Sequence, residues 1–226
     1  MTVRMSIFRK KPNLDQTEFE AYWRDVHAPI ALKIPALQRY EQNCTIARYY
    51  AGEPQLLQNV DGICKLLFVD ETAMQGVMSP EMTRMLMEDE GKFLEGLRTF
   101  VVRQTNPVPL SDKVATKCVS LVTRRKDLDP AAFERRWSDA FAEWVAGLRG
   151  VCGYSQNFVT ARTAERRPVP YEQSPVDCID ELWLEDSHNS QAAKDVLEQM
   201  QARARDYADA LNSFVVTVNL PSFPQR

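Results

Sequence analysis

Among the side chains of this sequence, His27 has the unperturbed pKa closest to neutrality in a setting that invites chemistry. It follows Tyr22, Trp23 and Asp25 within one short stretch, FEAYWRDVHAP. If that stretch is helical, position 27 lies on the same face as Trp23, and an imidazole there overlooks whatever the face covers. Such a group suits general acid/base work. The competing reading is a helix-end histidine that satisfies the last free carbonyls. Asp25 would either orient His27 or bond a loop backbone.

Tyr40 offers a hydroxyl that can hold a phenol or carbonyl oxygen, unless it is an ordinary core tyrosine with its hydroxyl satisfied. On a strand, residues 40 and 42 share one face and Asn43 takes the other, so Asn43 joins the same site only through a bulge. Tyr22 and Trp23 complete an aromatic side of the site. Five methionines, Met74, Met78, Met82, Met85 and Met87, cluster further on. The helical spacing of 78, 82 and 85 fits a core stripe or a mouldable wall for an aromatic substrate. The segment 161–176 carries Arg162, Arg166, Arg167 and Tyr171 among prolines. It reads as a solvated loop or as a lid in which Arg162 and Tyr171 clamp a carboxylate. His188, between Ser187 and Asn189, reads as a surface residue.

Composition narrows the classes. With 28 Lys+Arg against 31 Asp+Glu, the formal charge of −3 provides no concentrated basic surface for nucleic acid. No apolar run approaches the roughly 18 residues of a membrane span, and the first residues lack the apolar core of a secretory signal, so a cytoplasmic protein is expected. The five cysteines show no CxxC pair and read as buried reduced thiols, with a reactive thiol beside a pocket as the alternative. Clustered Cys and His for a metal are missing, and so are a phosphate loop, a dinucleotide fingerprint and a serine elbow. No cofactor and no metal are expected; a haem on His27 is the remaining cofactor alternative.

These residues sit in a chain that repeats itself. Residues 4–43 align with 118–157 at a constant offset of 114, with 11 of 40 positions identical. The identities include Phe19/Phe133, Trp23/Trp137, Asp25/Asp139, Tyr40/Tyr154, Gln42/Gln156 and Asn43/Asn157. Val60-Asp61 matches Val176-Asp177 at 116, and Phe100-Val101-Val102 matches Phe214-Val215-Val216 at 114 again. Each half reads as strand, helix, strand, strand, helix, strand. Asp15 with Glu18 forms a capping-box signature, and Asp129-Pro130 and Ser79-Pro80 mark other helix starts. The helix stripe is expected to bury Phe19, Trp23 and Val26, and Phe133, Trp137 and Ala140 in the second half. The expected fold class is α+β: two ferredoxin-like βαββαβ repeats, residues 1–105 and 117–226, joined by a linker 106–116 and packed sheet to sheet as an intramolecular version of a dimer. The halves differ where chemistry would sit, because Phe141 matches His27, Arg136 matches Tyr22 and Glu143 matches Pro29. The first half is expected to hold the site and the second to keep the frame.

The stretch Phe19–Pro29, followed by Ile34-Pro35-Ala36-Leu37, Tyr40-Glu41-Gln42-Asn43, Ser79-Pro80-Glu81 and Asp89…Phe93, resembles the EthD family. That resemblance implies a dimeric α/β-barrel, here formed within one chain, with a pocket in each half between the helices and the sheet. Relatives in the wider superfamily are cofactor-free dehydratases, cyclases and isomerases, quinone-forming monooxygenases and haem-binding branches. The leading expectation is a cofactor-independent lyase or isomerase that removes water, CO₂ or formaldehyde from a small phenolic or polyketide-like compound, with His27 as acid/base. A cofactor-free monooxygenase of an electron-rich phenol and a non-catalytic ligand-binding accessory protein are the alternatives. The expected partner is a small aromatic substrate, and a homodimer of the tandem chain is a further one.

Overall fold

The computed structural model describes residues 2–52, 57–75, 79–112, 115–185 and 190–223. The first half runs β1 (Thr2–Lys10), α1 (Gln16–Tyr22), a π-helical turn (Trp23–His27), α2 (Ala28–Ala31), β2 (Leu37–Tyr49), β3 (Gly62–Phe68), α3 (Glu71–Gln75), α4 (Pro80–Phe93) and β4 (Leu94–Val108). The second runs β5 (Ala115–Arg124), α5 (Pro130–Arg136), a π-helical turn (Trp137–Phe141), α6 (Ala142–Ala146), β6 (Val151–Ala164), β7 (Arg167–Pro168), β8 (Cys178–Glu185), α7 (Ser190–Ala204) and β9 (Ala208–Asn219). The strand β4 continues through Asn106–Val108, so the connection between halves is shorter than the linker read from the sequence.

Eight long strands close into an antiparallel barrel in the order β4-β1-β3-β2-β9-β5-β8-β6, with β6 returning to β4. The halves therefore meet edge to edge, through ladders β2–β9 and β4–β6, as well as through the interior. Strand alternation assigns each residue to one of two layers. Val3, Met5, Ile7, Ile63, Phe100 and Val102 point inward and meet Val119, Leu121, Ile179, Phe214 and Val216 from the other half. Side chains fill a barrel of this size. The alternate residues face outward beneath the helices, in one apolar cluster per half.

The barrel interior also buries charge. Lys117 bonds Glu181 at 2.6 Å and also Glu41, while Lys65 bonds Glu181. Asn157 donates to Glu181 at 3.1 Å. Burial alone would push the Glu181 carboxyl up, but Lys117 and Lys65 hold it well below its ordinary value. Two cations and two anions balance, with one of each sign from either half. Such a set contributes little net stability, yet losing one member is costly because its partner stays buried.

Helix starts follow the sequence. Asp15 accepts from the Glu18 amide at 2.8 Å and Glu18 bonds the Asp15 amide at 2.9 Å, while Asp129 and Ser79 cap α5 and α4. The 3.6-residue stripe fails at one place. Val26 is 43 % exposed and Ala140 is exposed, whereas His27 and Phe141 are buried. The reason is the π-helical turn, in which Ala28 N–H bonds the Trp23 carbonyl five residues back, so one extra residue rotates 27 inward in place of 26. The second half makes the same turn with Glu143 in place of Pro29, so the proline is not its cause. A shared glutamine is common to both: Gln42 bonds the Trp23 carbonyl and Gln156 the Trp137 carbonyl, each at 2.8 Å.

Candidate functional site

Between the helices of the first half and the outer face of its sheet lies a cavity of about 270 Å³. Its aromatic wall is Phe8, Trp23, Tyr40 and Phe93, extended by Leu66, Met74 and Leu86. His27 opens onto it from the π-helical turn, and Arg4, Glu90 and Arg166 supply charge. The second half closes one side, because the end of β6 pairs with β4 and brings Ala161, Thr163 and Arg166 to the rim.

His27 is held from behind. Its Nδ1 lies 2.8 Å from Oδ2 of the buried Asp89, and the Tyr22 hydroxyl donates to Oδ1 of the same carboxylate at 2.7 Å. Burial and the carboxylate push the Tyr22 phenol up to about 12, so it remains a donor. A carboxylate oxygen accepts, so Nδ1–H is the donor in this contact and Nε2 is the ring nitrogen left to meet a substrate. The Phe93 ring, 5.1 Å from the imidazole centroid, packs on it and limits its rotation.

The Tyr40 hydroxyl accepts from Trp23 Nε1 at 2.7 Å and from Gln42 Nε2 at 3.2 Å. With both lone pairs used, its own proton is free to be donated into the cavity. Burial raises this phenol far above its ordinary value, which fixes it as a donor. Burial likewise pushes the Cys64 thiol, also on the cavity wall, up to about 12. It is no thiolate at neutral pH, and all five cysteines are buried and free.

Several expected site residues stand elsewhere. Asp25 is exposed and paired with Arg24 at 2.7 Å, so Asp89, not Asp25, orients the histidine. Asn43 faces the barrel interior and bonds the Ile63 carbonyl at 2.9 Å, because no bulge turns it outward. Tyr22 supports Asp89 from outside the cavity lining. Met82 packs against the first-half core and Met85 is half-buried on α4, but Met74 is the methionine that reaches the cavity. Met78 and His188 lie outside the described residues.

Arg162 and Tyr171 form no clamp. Arg162 bonds the Val176 carbonyl at 3.1 Å, and the Tyr171 hydroxyl bonds Asp177 at 2.6 Å, with the ring between the Arg124 and Arg162 guanidinium groups. This cluster ties the loop to its own half. Arg166 reaches the cavity instead, through a hairpin turn in which Glu165 and Arg166 both adopt positive φ, +47° and +65°. A turn of that kind favours glycine or asparagine, so two ordinary residues there store strain beside the site. Arg166 is fixed by Glu90 at 2.6 Å.

Among the described residues no group of three or more Cys, His, Asp or Glu side chains is arranged to hold a metal, and no helix is long and apolar enough to cross a membrane. The cavity volume lies near the lower end for small-molecule sites and suits one or two fused rings; it does not fit a porphyrin.

The sequence profile of the EthD domain matches the chain twice, over residues 11–96 and 125–212. No curated protein matches. Among solved structures, an anthrone oxidase-like protein superposes with a TM-score of 0.63 at 7% identity, covering 97% of this chain and 92% of that one. A protein provisionally named a monooxygenase from Lactobacillus acidophilus NCFM gives a TM-score of 0.52 at 10% identity, covering 98% and 95%. An EthD family protein from Bacillus halodurans C-125 is 20% identical over 44% of this chain and 96% of its own, with a TM-score of 0.29.

Proposed function

The chain belongs to the EthD family, with the domain present twice, and from that premise we propose a cofactor-independent lyase or isomerase acting on a small phenolic compound in the first-half cavity. We read residues 1–105 and 117–226 as two ferredoxin-like repeats, of which the first carries the site. The observation that carries the reading is the buried Asp89–His27 pair at 2.8 Å facing an aromatic cavity. It leaves one basic nitrogen turned to substrate, and Tyr40 stands on the same wall as a donor to a phenol or carbonyl oxygen.

In this reading His27 Nε2 takes a proton from the substrate's phenol or from a carbon beside the ring. The electron pair released passes through the ring and breaks the bond to the leaving group on the side chain. For a departing hydroxide, the imidazolium returns its proton and water leaves, so the enzyme ends unchanged. Asp89 stabilises the imidazolium while it exists. Loss of CO₂ or formaldehyde runs the electrons the other way: His27 takes the proton of the carboxyl or hydroxymethyl group, the C–C bond breaks and leaves its electron pair on the ring-conjugated carbon, and the imidazolium returns the proton to that carbon.

Incubation with a panel of hydroxylated benzylic and polyketide-like compounds, read by mass spectrometry, tests the reading. His27→Gln should lower kcat on any compound turned over by about 10²-fold or more. Full activity in that variant removes the proposal. A cofactor-free monooxygenase is the second reading, favoured by fold relatives named as an anthrone oxidase-like protein and a monooxygenase. The same base would form an electron-rich phenolate. Oxygen consumed in step with product selects that reading, and unchanged turnover without oxygen selects the lyase. Ligands that raise Tm without being consumed would select an accessory binding protein.

A further inference from the structure

Among the described residues, one cation in the cavity has no counterpart. Arg4 lies on the outward face of β1 with Ser6 and Phe8, beneath the helices, and its guanidinium lines the cavity. Its Nε is buried without a hydrogen-bond partner. Among the described residues it donates no side-chain hydrogen bond and has no carboxylate within 4.0 Å; its contact is the Phe68 ring, 5.4 Å away. Every other described charge around the cavity is matched. Arg166 pairs with Glu90, and Asp89 is taken by His27 and Tyr22, with Lys92 at 3.7 Å. The cavity therefore carries one net positive charge, placed where burial works against it.

The duplicate shows that this charge is not needed by the frame. The position matching Arg4 is Cys118, fully buried in the apolar cluster of the second half, where the strand and its ladders form equally well. Neighbouring polar positions do keep their character, since Ser6 bonds Thr99 at 2.9 Å and Ser120 bonds Ser213 at 2.8 Å. Arginine at position 4 is thus particular to the half with the cavity. A planar guanidinium with free N–H groups is the natural receiver of a carboxylate, through two parallel hydrogen bonds.

We propose that Arg4 is the anion anchor of this site, and that the substrate is an aromatic monocarboxylate whose carboxylate docks on Arg4 while its reacting group meets His27. This rests on the first-half cavity being a substrate site, but not on which bond is broken there. The substrate supplies the missing negative charge, and Arg166, already neutralised by Glu90, bounds the rim without competing for it. An uncharged analogue of the same shape would leave Arg4 unpaired and bind poorly.

Calorimetric titration with 4-hydroxybenzoate and with its methyl ester decides the matter. The wild-type protein is expected to prefer the carboxylate by at least about tenfold, the scale of a charge-assisted bidentate pair. Arg4→Gln should reduce that ratio to near one and raise the Tm of the empty protein, since it removes an unpaired, half-buried charge. Arg4→Lys should retain a smaller preference. His27→Gln should keep the full preference while losing turnover, which separates this inference from the proposed reaction. Equal binding of acid and ester by wild type, no binding of either, a preference that survives Arg4→Gln, or an Arg4→Gln protein that fails to fold each overturns it.

Discussion

Beneath the helices of the first half, Trp23, His27, Phe93 and Leu86 surround an open cavity; beneath those of the second half, the matching positions belong to a buried apolar cluster. There Phe141 replaces His27 and stacks on Trp137 with centroids 3.7 Å apart, while Tyr207 and Met200 stand where Phe93 and Leu86 do. Cys64 has become Asp180, which accepts from Tyr154 at 2.7 Å and from Trp137 at 3.2 Å. Asp89 has become Arg203, which turns to the Tyr207 hydroxyl at 3.0 Å. What both halves keep are the groups that fix the backbone: the π-helical turn, the Gln42/Gln156 amides and the Asn43/Asn157 bonds to the Ile63 and Ile179 carbonyls. The residues held in common build the barrel, and those that differ decide whether it has room for a ligand.

The contrast can be broken most forcefully at Phe141. Its ring is fully buried, and Phe141→Ala should cost about 3–5 kcal/mol in chemical denaturation, by lost burial plus the cavity left behind. His27→Ala, at the matching position beside an existing cavity, should cost far less; equal losses would mean the first-half site is packed like the second.

Asp180 comes next. Its carboxyl, ordinarily 3.8, is raised to about 6 by burial, partly offset by the bonds from Tyr154, Cys178 and Trp137. The folded state therefore holds the proton more tightly than the unfolded one. Its contribution to stability is highest below pH 3.8, falls as pH rises to about 6, and stays low above that. At 1.36 kcal/mol per unit, Asp180→Asn should raise stability at pH 7 by about 2–3 kcal/mol and flatten the pH dependence between these values. Unfolding titrations across pH 4–7 would show it.

Asp89→Asn should reduce turnover by roughly 10- to 100-fold, short of the loss of the histidine itself, because the imidazole loses its orienting acceptor. Nitrogen NMR of the labelled ring should report a shift in tautomer, and Asp25→Asn should change neither reading. The smallest effect is expected at Ala36, which holds φ +56° at the position where the second half has Gly150 at +87°. Ala36→Gly should stabilise the first half by about 1 kcal/mol, seen as a higher Tm.

The frame of this molecule is readable in the sequence because local rules set it. The capping residues Asp15, Asp129 and Ser79, the strand alternation and the repeat offset each act over a few residues or along one register. His27 is readable for the same reason, as a chemically distinctive side chain at a helix end. Its true partner is not, since Asp89 lies 62 residues away on another helix and Asp25 is the nearer carboxylate in sequence. The burial of 27 in place of Val26 depends on a π-helical turn, which 3.6-residue periodicity does not anticipate. Arg166 reaches the cavity where Arg162 does not, because Arg162 is spent on the Val176 carbonyl and a strained turn swings Arg166 to the rim. Arg4 did leave a signal: alternation places it on the covered face with Phe8, and a charge on a covered face asks for a partner.

The closure of the barrel has a consequence for how this chain meets others. Each of the eight long strands is hydrogen-bonded on both sides, and the ladders β2–β9 and β4–β6 use the edges that two separate sheets would expose. Among the described residues a foreign strand finds no long strand open to extension, which disfavours the commonest route from β-sheet to aggregate or strand-swapped dimer. Among the described residues the remaining edge strand is β7, two residues long and containing Pro168, which has no N–H to offer. An association that used the described side-chain surfaces could form and dissolve without unzipping the sheet that shapes the cavity.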